Sequence, residues 1–124
     1  IAEDNAMNME IAVDILSKTG LEVIPVVNGK EAVDVFAASA PNTIDAILMD
    51  VQMPVMDGYE ATRAIRKLNH PQAKTIPIIA MTANAFTSDV NAALASGMND
   101  HIAKPISYER LFDTLSRLTG EGRL

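Results

Sequence analysis

At 124 residues the chain fits one domain with room for a real core, and the absence of Cys excludes disulfides and thiolate zinc sites, making a reducing cytoplasm the expected setting. A formal net charge of −6 without a basic cluster, and an aromatic set of two Tyr, three Phe and no Trp, argue against a nucleic-acid surface. Apolar runs stop well short of a membrane span, no signal-peptide pattern opens the chain, and the seven Met read as core filler.

Ile1-Ala2 running into Glu3-Asp4-Asn5 reads as the end of a buried strand whose beginning is missing, so the chain reads as an excised or trimmed segment. Over residues 8–18, Ile11, Ile15 and Leu16 share one face at helical spacing, and Gly20 supplies the stop. Residues 21–27 are β-branched and bounded by Gly20 and Asn28-Gly29, which predicts a strand. Asn28 and Glu31 have capping-box spacing, opening a helix to about Ala38 with Ala32, Val33 and Phe36 inward. Residues 40–43 form a loop. The short apolar run that follows, too short for a helix, predicts a fully buried strand ending at Asp50.

In the loop beyond, Pro54 fixes one backbone angle and Gly58 frees another. Asp57 and Glu60 repeat the capping-box spacing ahead of a helix with Ala61, Ala64, Ile65 and Leu68. After a loop over 70–74, a strand is predicted at 76–81, with Thr82-Ala83-Asn84-Ala85 leaving its end. A helix over 88–96 stops at Gly97, and a last strand over 100–103 is ended by Lys104-Pro105. Ser107 caps a final helix whose Leu111, Leu115 and Leu118 form a stripe. Residues 1–119 read as one domain and 120–124 as a frayed tail or linker.

Five strands alternating with five helices require parallel strands and right-handed crossovers, hence an α/β, doubly wound sheet with helices on both faces. In the order 2-1-3-4-5, with the first strand truncated, the ends of strands one, three, four and five converge on one crevice. Those ends carry Glu3 and Asp4, Asp50, Thr82 and Lys104. Three crowded carboxylates repel, and the usual remedy is a hard divalent cation; Mg²⁺ suits so small a ligand set.

With Glu3-Asp4, the run from Met49-Asp50 to Asp57-Gly58, Met81-Thr82-Ala83-Asn84-Ala85 and Lys104-Pro105-Ile106 in this order, the sequence resembles a receiver domain of a two-component response regulator over essentially its whole length. With Asn5-Ala6-Met7-Asn8 and Thr82-Ala83-Asn84-Ala85, it looks most like the receivers of hybrid sensor histidine kinases. The resemblance implies a flavodoxin-like (βα)5 fold and a phosphoacceptor at Asp50. It implies Mg²⁺ held directly by Asp4 and Asp50, through water by Glu3, and by the backbone carbonyl of Gln52. Thr82 and Lys104 would bind phosphoryl oxygens, the Lys104–Pro105 bond would be cis, and the small Ala83 would leave the site open to a bulky donor. The implied partner is a histidine kinase or histidine phosphotransfer domain, with no nucleic acid, no membrane contact by this domain, and a homodimer as an option. The implied location is the cytoplasm, including as the cytoplasmic part of a membrane-anchored sensor kinase. Such a domain catalyses its own phosphorylation and dephosphorylation without being a turnover enzyme.

Where receivers usually have an aromatic three positions before the lysine, this chain has His101. Thr82 and His101 would then be the switch residues coupling phosphorylation to the face of the fourth helix, fifth strand and fifth helix. A buried imidazole beside Lys104 would prefer to be neutral, making the switch pH-dependent. Plainer readings stand beside these: His101 as packing, His70 as loop, Lys104 as a solvated turn lysine, Thr82 as a strand-end hydroxyl, and Glu3-Asp4 as a helix-start acidic pair. A flavodoxin-like cofactor binder would want a glycine- and hydroxyl-rich phosphate loop where Glu3-Asp4-Asn5 stands. An aspartate-nucleophile phosphatase would want a carboxylate where Gln52 stands. A pseudo-receiver, acting as a phosphorylation-independent docking module, would have lost part of the site.

Overall fold

Three short runs, Ile47–Asp50 (β1), Ile78–Thr82 (β2) and Asp100–Ala103 (β3), pair as a parallel sheet in the order β1-β2-β3. The computed structural model describes residues 1–18, 20, 22–41, 43–82, 87–103 and 108–119, without the side chains of 87–89, 108, 118 and 119. Every residue of β1 and β2 is buried, as expected of parallel strands covered on both faces.

Alternate side chains feed two separate cores, because successive residues of a strand point to opposite faces. Ile47, Met49, Ile78 and Ala80 pack with Phe36, Ala61, Ile65 and Ala93. Leu48, Ile79, Met81 and Ile102 pack with Leu16, Leu111 and Leu115. The helices α1 (Ala6–Ser17) and α5 (Tyr108–Thr119) therefore cover one face. The other is covered by α2 (Gly29–Ala38), α3 (Gly58–Arg66) and α4 (Thr87–Ser96). The doubly wound architecture is present.

Beyond β1 the sheet continues through single parallel bridges, Ala2 to Met49 and Ala2 to Val26. The Ala2 N–H donates to the Leu48 carbonyl at 2.8 Å, and the Asp50 N–H donates to the Ala2 carbonyl at 3.0 Å. On Ala2's other side, the Val26 N–H donates to the Ile1 carbonyl at 2.9 Å and the Glu3 N–H to the Val26 carbonyl at 3.1 Å. The spatial order is thus Val26, Ala2, β1, β2, β3, which is the expected 2-1-3-4-5. The strand expected over 21–27 shrinks to its one bridge residue, Val26. Among the described residues only Ile1–Glu3 runs beside it, and a strand extends no further than its partner.

Among the described residues, three helices begin on side-chain caps. The Asn28 side-chain oxygen accepts from the Glu31 N–H at 2.8 Å, and Glu31 reaches back to the Val27 N–H at 3.2 Å. Asp57 accepts from the Glu60 N–H at 2.8 Å. Asn5, accepting from the Asn8 N–H at 3.0 Å, starts α1 two residues before the predicted start. The inward face of α1 also differs from expectation. Ala12 and Leu16 are buried, whereas Ile11 is 52 % exposed. With the row of Ala12 and Leu16 turned inward, Ile11, one position round the helix, faces outward. Leu111 and Leu115 face the core as predicted; Leu118 and the Ser107 cap lie outside the described residues.

Candidate functional site

Each side chain of the crevice is delivered by the end of a strand. Asp50 is the last residue of β1 and only 3 % exposed. The bridge at Ala2 brings Glu3, buried, and Asp4, exposed, alongside it. One carboxylate oxygen from each of Glu3, Asp4 and Asp50 lies within 4.8 Å of the others. Glu3 also accepts the Asn5 N–H at 3.2 Å, and Asp50 accepts the Gln52 N–H at 3.3 Å. The three carboxyl groups predicted to converge therefore do so. Two of them are out of bulk water, where like-charge repulsion is least screened.

Thr82 ends β2 and is buried. Asp50 pairs in register with Met81, so Thr82 stands one step past it, and the Val51 N–H donates to the Met81 carbonyl at 3.1 Å. Ala103, the register partner of Thr82, is the residue before Lys104. Lys104, the Lys104–Pro105 bond and Ala83 lie outside the described residues. Gln52 is exposed, on an open cleft lined also by Asp4, Val51, Met53, Asp57 and Tyr59. Asp57 and Tyr59 were not singled out as cleft residues, because only the return of α3 past the loop brings them there.

Two glycines hold this loop against its neighbours. The Gly58 N–H donates to the Val51 carbonyl at 2.9 Å, and a Cβ there would stand 2.3 Å from the Asp50 carbonyl oxygen. The Gly29 N–H donates to the Met56 carbonyl at 3.1 Å, and a Cβ there would stand 2.4 Å from that oxygen. Between them Val55 adopts φ 70, with the Met56 N–H donating to the Pro54 carbonyl at 2.7 Å, a γ-turn. No sequence signal marks it, since a β-branched residue is the last expected in the left-handed region.

His101 is half-buried on β3. Its Nδ1 lies 3.6 Å from the carboxylate of Asp100, which also accepts the His101 N–H at 2.8 Å and a hydrogen bond from Arg117. Burial pushes the Asp100 carboxyl up, but Arg117 and the His101 N–H outweigh it and hold it below the usual range. The expected neighbour of this ring was a cation, Lys104; the charge described beside it is an anion. His70 is more than loop. Its ring packs on Phe36, tilted by 37° with centroids 4.4 Å apart, its Nδ1 accepts the Gln72 N–H at 3.0 Å, and its Nε2 lies 3.0 Å from the Ser39 carbonyl.

A second, largely apolar cavity of about 390 Å³ lies toward the opposite ends of the strands, lined by Val23, Val26, Phe36, Ile44 and Leu48 among others. None of the strand-end residues lines it.

The family model for the response regulator receiver domain matches residues 1–116. Hybrid signal transduction histidine kinase I of Dictyostelium discoideum is 40% identical over 118 residues, which is 94% of this chain and 7% of that protein. Sensor protein GacS of Pseudomonas syringae pv. syringae is 39% identical over 119 residues, 95% of this chain and 13% of that protein. The chain thus spans a small part of the curated relatives it matches. Among solved structures, the receiver domain of sensor histidine kinase PA1611 from Pseudomonas aeruginosa PAO1 superposes with a TM-score of 0.86 at 40% identity, covering 97% of this chain and 94% of that one. That receiver has a magnesium ion coordinated in its active site cleft. Chemotaxis protein CheY4 of Vibrio cholerae superposes with a TM-score of 0.84 at 29% identity, covering 94% and 93%.

Proposed function

The chain belongs to the response regulator receiver domain family, and on that premise we propose that Asp50 accepts a phosphoryl group from a phosphohistidine on a histidine kinase or histidine phosphotransfer domain. The observation that carries this is the meeting of Glu3, Asp4 and Asp50 within 4.8 Å at the end of β1. A cation or an electrophile would offset the repulsion within such a cluster.

The donor set fits Mg²⁺. All three side chains offer hard oxygens, and exposed Asp4 opens the cluster to water, which Mg²⁺ retains. Asp4, Asp50 and the Gln52 carbonyl would hold it directly, and Glu3 through water. Bound there, it supplies positive charge that offsets repulsion between the carboxylates and an incoming phosphoryl group. A carboxylate oxygen of Asp50 attacks phosphorus in line. The new O–P bond forms as the N–P bond to the donor imidazole breaks, and that nitrogen leaves with its electron pair. The Thr82 hydroxyl hydrogen-bonds a phosphoryl oxygen, and the Lys104 ammonium neutralises the others.

The phosphorylated arrangement of Thr82 then biases His101 and the face of α4, β3 and α5, a two-state change. Residues 1–119 act as the domain and 120–124 as a tail, in a larger sensor kinase or phosphorelay. Among the described residues no helix is long and apolar enough to cross a membrane. The test is treatment with acetyl phosphate and Mg²⁺, followed by peptide mass spectrometry. A hydroxylamine-labile label at Asp50, lost in Asp50→Asn, is expected. A folded domain that takes no label is instead the docking module.

A further inference from the structure

Gly29 is buried and is the first residue of α2. The N–H groups in a helix's first turn have no carbonyl within the helix to bond. That of Gly29 donates instead to the Met56 carbonyl at 3.1 Å, in the loop that leads from Asp50 to α3. The positive end of the helix dipole strengthens such a bond. Its direction is fixed by reciprocal caps on either side. Asn28 accepts the Glu31 N–H at 2.8 Å, and Glu31 accepts the Val27 N–H at 3.2 Å. A Cβ on Gly29 would run into the Met56 carbonyl oxygen and stand 3.0 Å from the Ala61 Cβ of α3. Only glycine lets α2 reach the loop this closely.

At its other end the same loop is tied to Asp50 itself. The Gln52 N–H donates to an Asp50 carboxylate oxygen at 3.3 Å, and the Gly58 N–H donates to the Val51 carbonyl at 2.9 Å. Between these ties and Met56 the chain has little slack. The Met53 side chain is buried in the core with Val26, Ala32 and Ala61. Pro54 has one backbone angle fixed, and the γ-turn at Val55 closes with the Met56 N–H on the Pro54 carbonyl at 2.7 Å. Pro54 and Val55 are both exposed, so burial of their side chains does not hold them in place. A displacement of the Met56 carbonyl therefore reaches Gln52 through residues 53–55 alone.

We propose that Gly29 is a positioning residue for the acidic crevice: through the Met56 carbonyl it sets where the loop carries Gln52, beside Asp4 and Asp50. The proposal rests on the reading of Asp50 given above, in which the Gln52 carbonyl is a ligand of Mg²⁺. Asp4 and Gln52 line one open cleft. The carboxylates supply the charge there, but a backbone ligand is only as well placed as the loop that carries it. Alanine at position 29 pushes the Met56 carbonyl away, because the exposed loop yields more readily than the packed faces of α2 and α3. The ligand set then loses its neutral member while its charge stays. The coupling is reciprocal: what the seated loop contributes to metal binding, the bound metal contributes to seating the loop.

The experiment measures Mg²⁺ affinity by calorimetry, with urea midpoints of the metal-free proteins alongside. Gly29→Ala is expected to bind Mg²⁺ about tenfold more weakly than wild type. Ala37→Gly, exposed on the same helix and away from the loop, weakens the helix without adding an atom against Met56. It is expected to lower the urea midpoint and to bind Mg²⁺ as wild type does. In the wild type, saturating Mg²⁺ is expected to slow hydrogen exchange of the Gly29 amide more than that of the Phe36 amide in the same helix. Equal Mg²⁺ affinities for Gly29→Ala and wild type overturn the positioning role and leave the reading of Asp50 standing. An equal loss of affinity in Ala37→Gly overturns it too, since any loosening of α2 would then suffice. A wild type that binds no Mg²⁺ overturns both readings. Should Gly29→Ala not fold, the exchange comparison decides, and equal slowing at Gly29 and Phe36 overturns the proposal.

Discussion

A Cβ placed on Gly58 would stand 2.3 Å from the carbonyl oxygen of Asp50. The first turn of α3 therefore lies directly against the residue that ends β1, and nothing larger than hydrogen fits between them. Gly58→Ala sets two effects against each other. Alanine favours a helix over glycine by about 1 kcal/mol. Contact with rigid backbone costs roughly 1–3 kcal/mol, and near the upper end the clash wins. We expect net destabilisation in urea unfolding and a slower reaction of Asp50 with acetyl phosphate, because the backbone carrying its carboxylate must move. Unchanged stability with unchanged reactivity would show that α3 can back away freely.

The acidic cluster predicts a stability that depends on divalent cations. Without Mg²⁺, Asp50→Asn removes one of three crowded charges and is expected to be more stable than wild type. Mg²⁺ should raise the urea midpoint of wild type, because a ligand of the folded state alone stabilises it, and should do so little for the variant. Asp4→Ala should weaken Mg²⁺ binding by at least about tenfold. Equal Mg²⁺ affinities in Asp4→Ala and wild type would remove Asp4 from the ligand set.

Much of this was legible in the sequence because the signals are local. The run ending in Met49-Asp50 is apolar on both faces and stops at a loop, so both strand and carboxylate are evident. The caps at Asn28 and Asp57 depend on residues three positions apart. Ile11 was misplaced because α1 offers two apolar rows, Met7 with Ile11 and Ala12 with Leu16, and periodicity does not say which one meets a sheet. Arg66 donates to the Asn99 side-chain oxygen at 2.9 Å, a tie between residues far apart in the chain that left no local trace.

The Asp100–Arg117 pair predicts a small acid-side effect. The folded Asp100 carboxyl is held below its ordinary value of 3.8, so the pair contributes stability above that value and loses it as pH falls through the folded value. Arg117 is 59% exposed, so solvent screening keeps the contribution small. Arg117→Gln should lower stability slightly at neutral pH, with the two proteins converging in acid once the folded Asp100 carboxyl is protonated. Urea midpoints measured from pH 7 down to pH 3 test this. A gap that persists undiminished in acid would mean that Arg117 acts through packing of its stem.

Val55 is 76% exposed and holds φ 70 in the loop between Asp50 and α3. Its side chain buries little, so it offers the fold little in return for the strain. A β-branched residue in this region costs on the order of 1–3 kcal/mol. Glycine adopts the same angle without strain, but its greater freedom in the unfolded chain costs roughly 0.5–1 kcal/mol. The strain term is the larger. Val55→Gly is therefore expected to stabilise the domain by about 1 kcal/mol, read as a higher urea midpoint with an unchanged slope. Gly29 and Gly58 hold the loop on either side, so the turn should persist and Asp50 should react with acetyl phosphate as in wild type. A loss of stability would mean that Val55 packs on its neighbours more than its exposure indicates. A gain in stability with a loss of reactivity would show that the strained turn itself holds the cleft in shape.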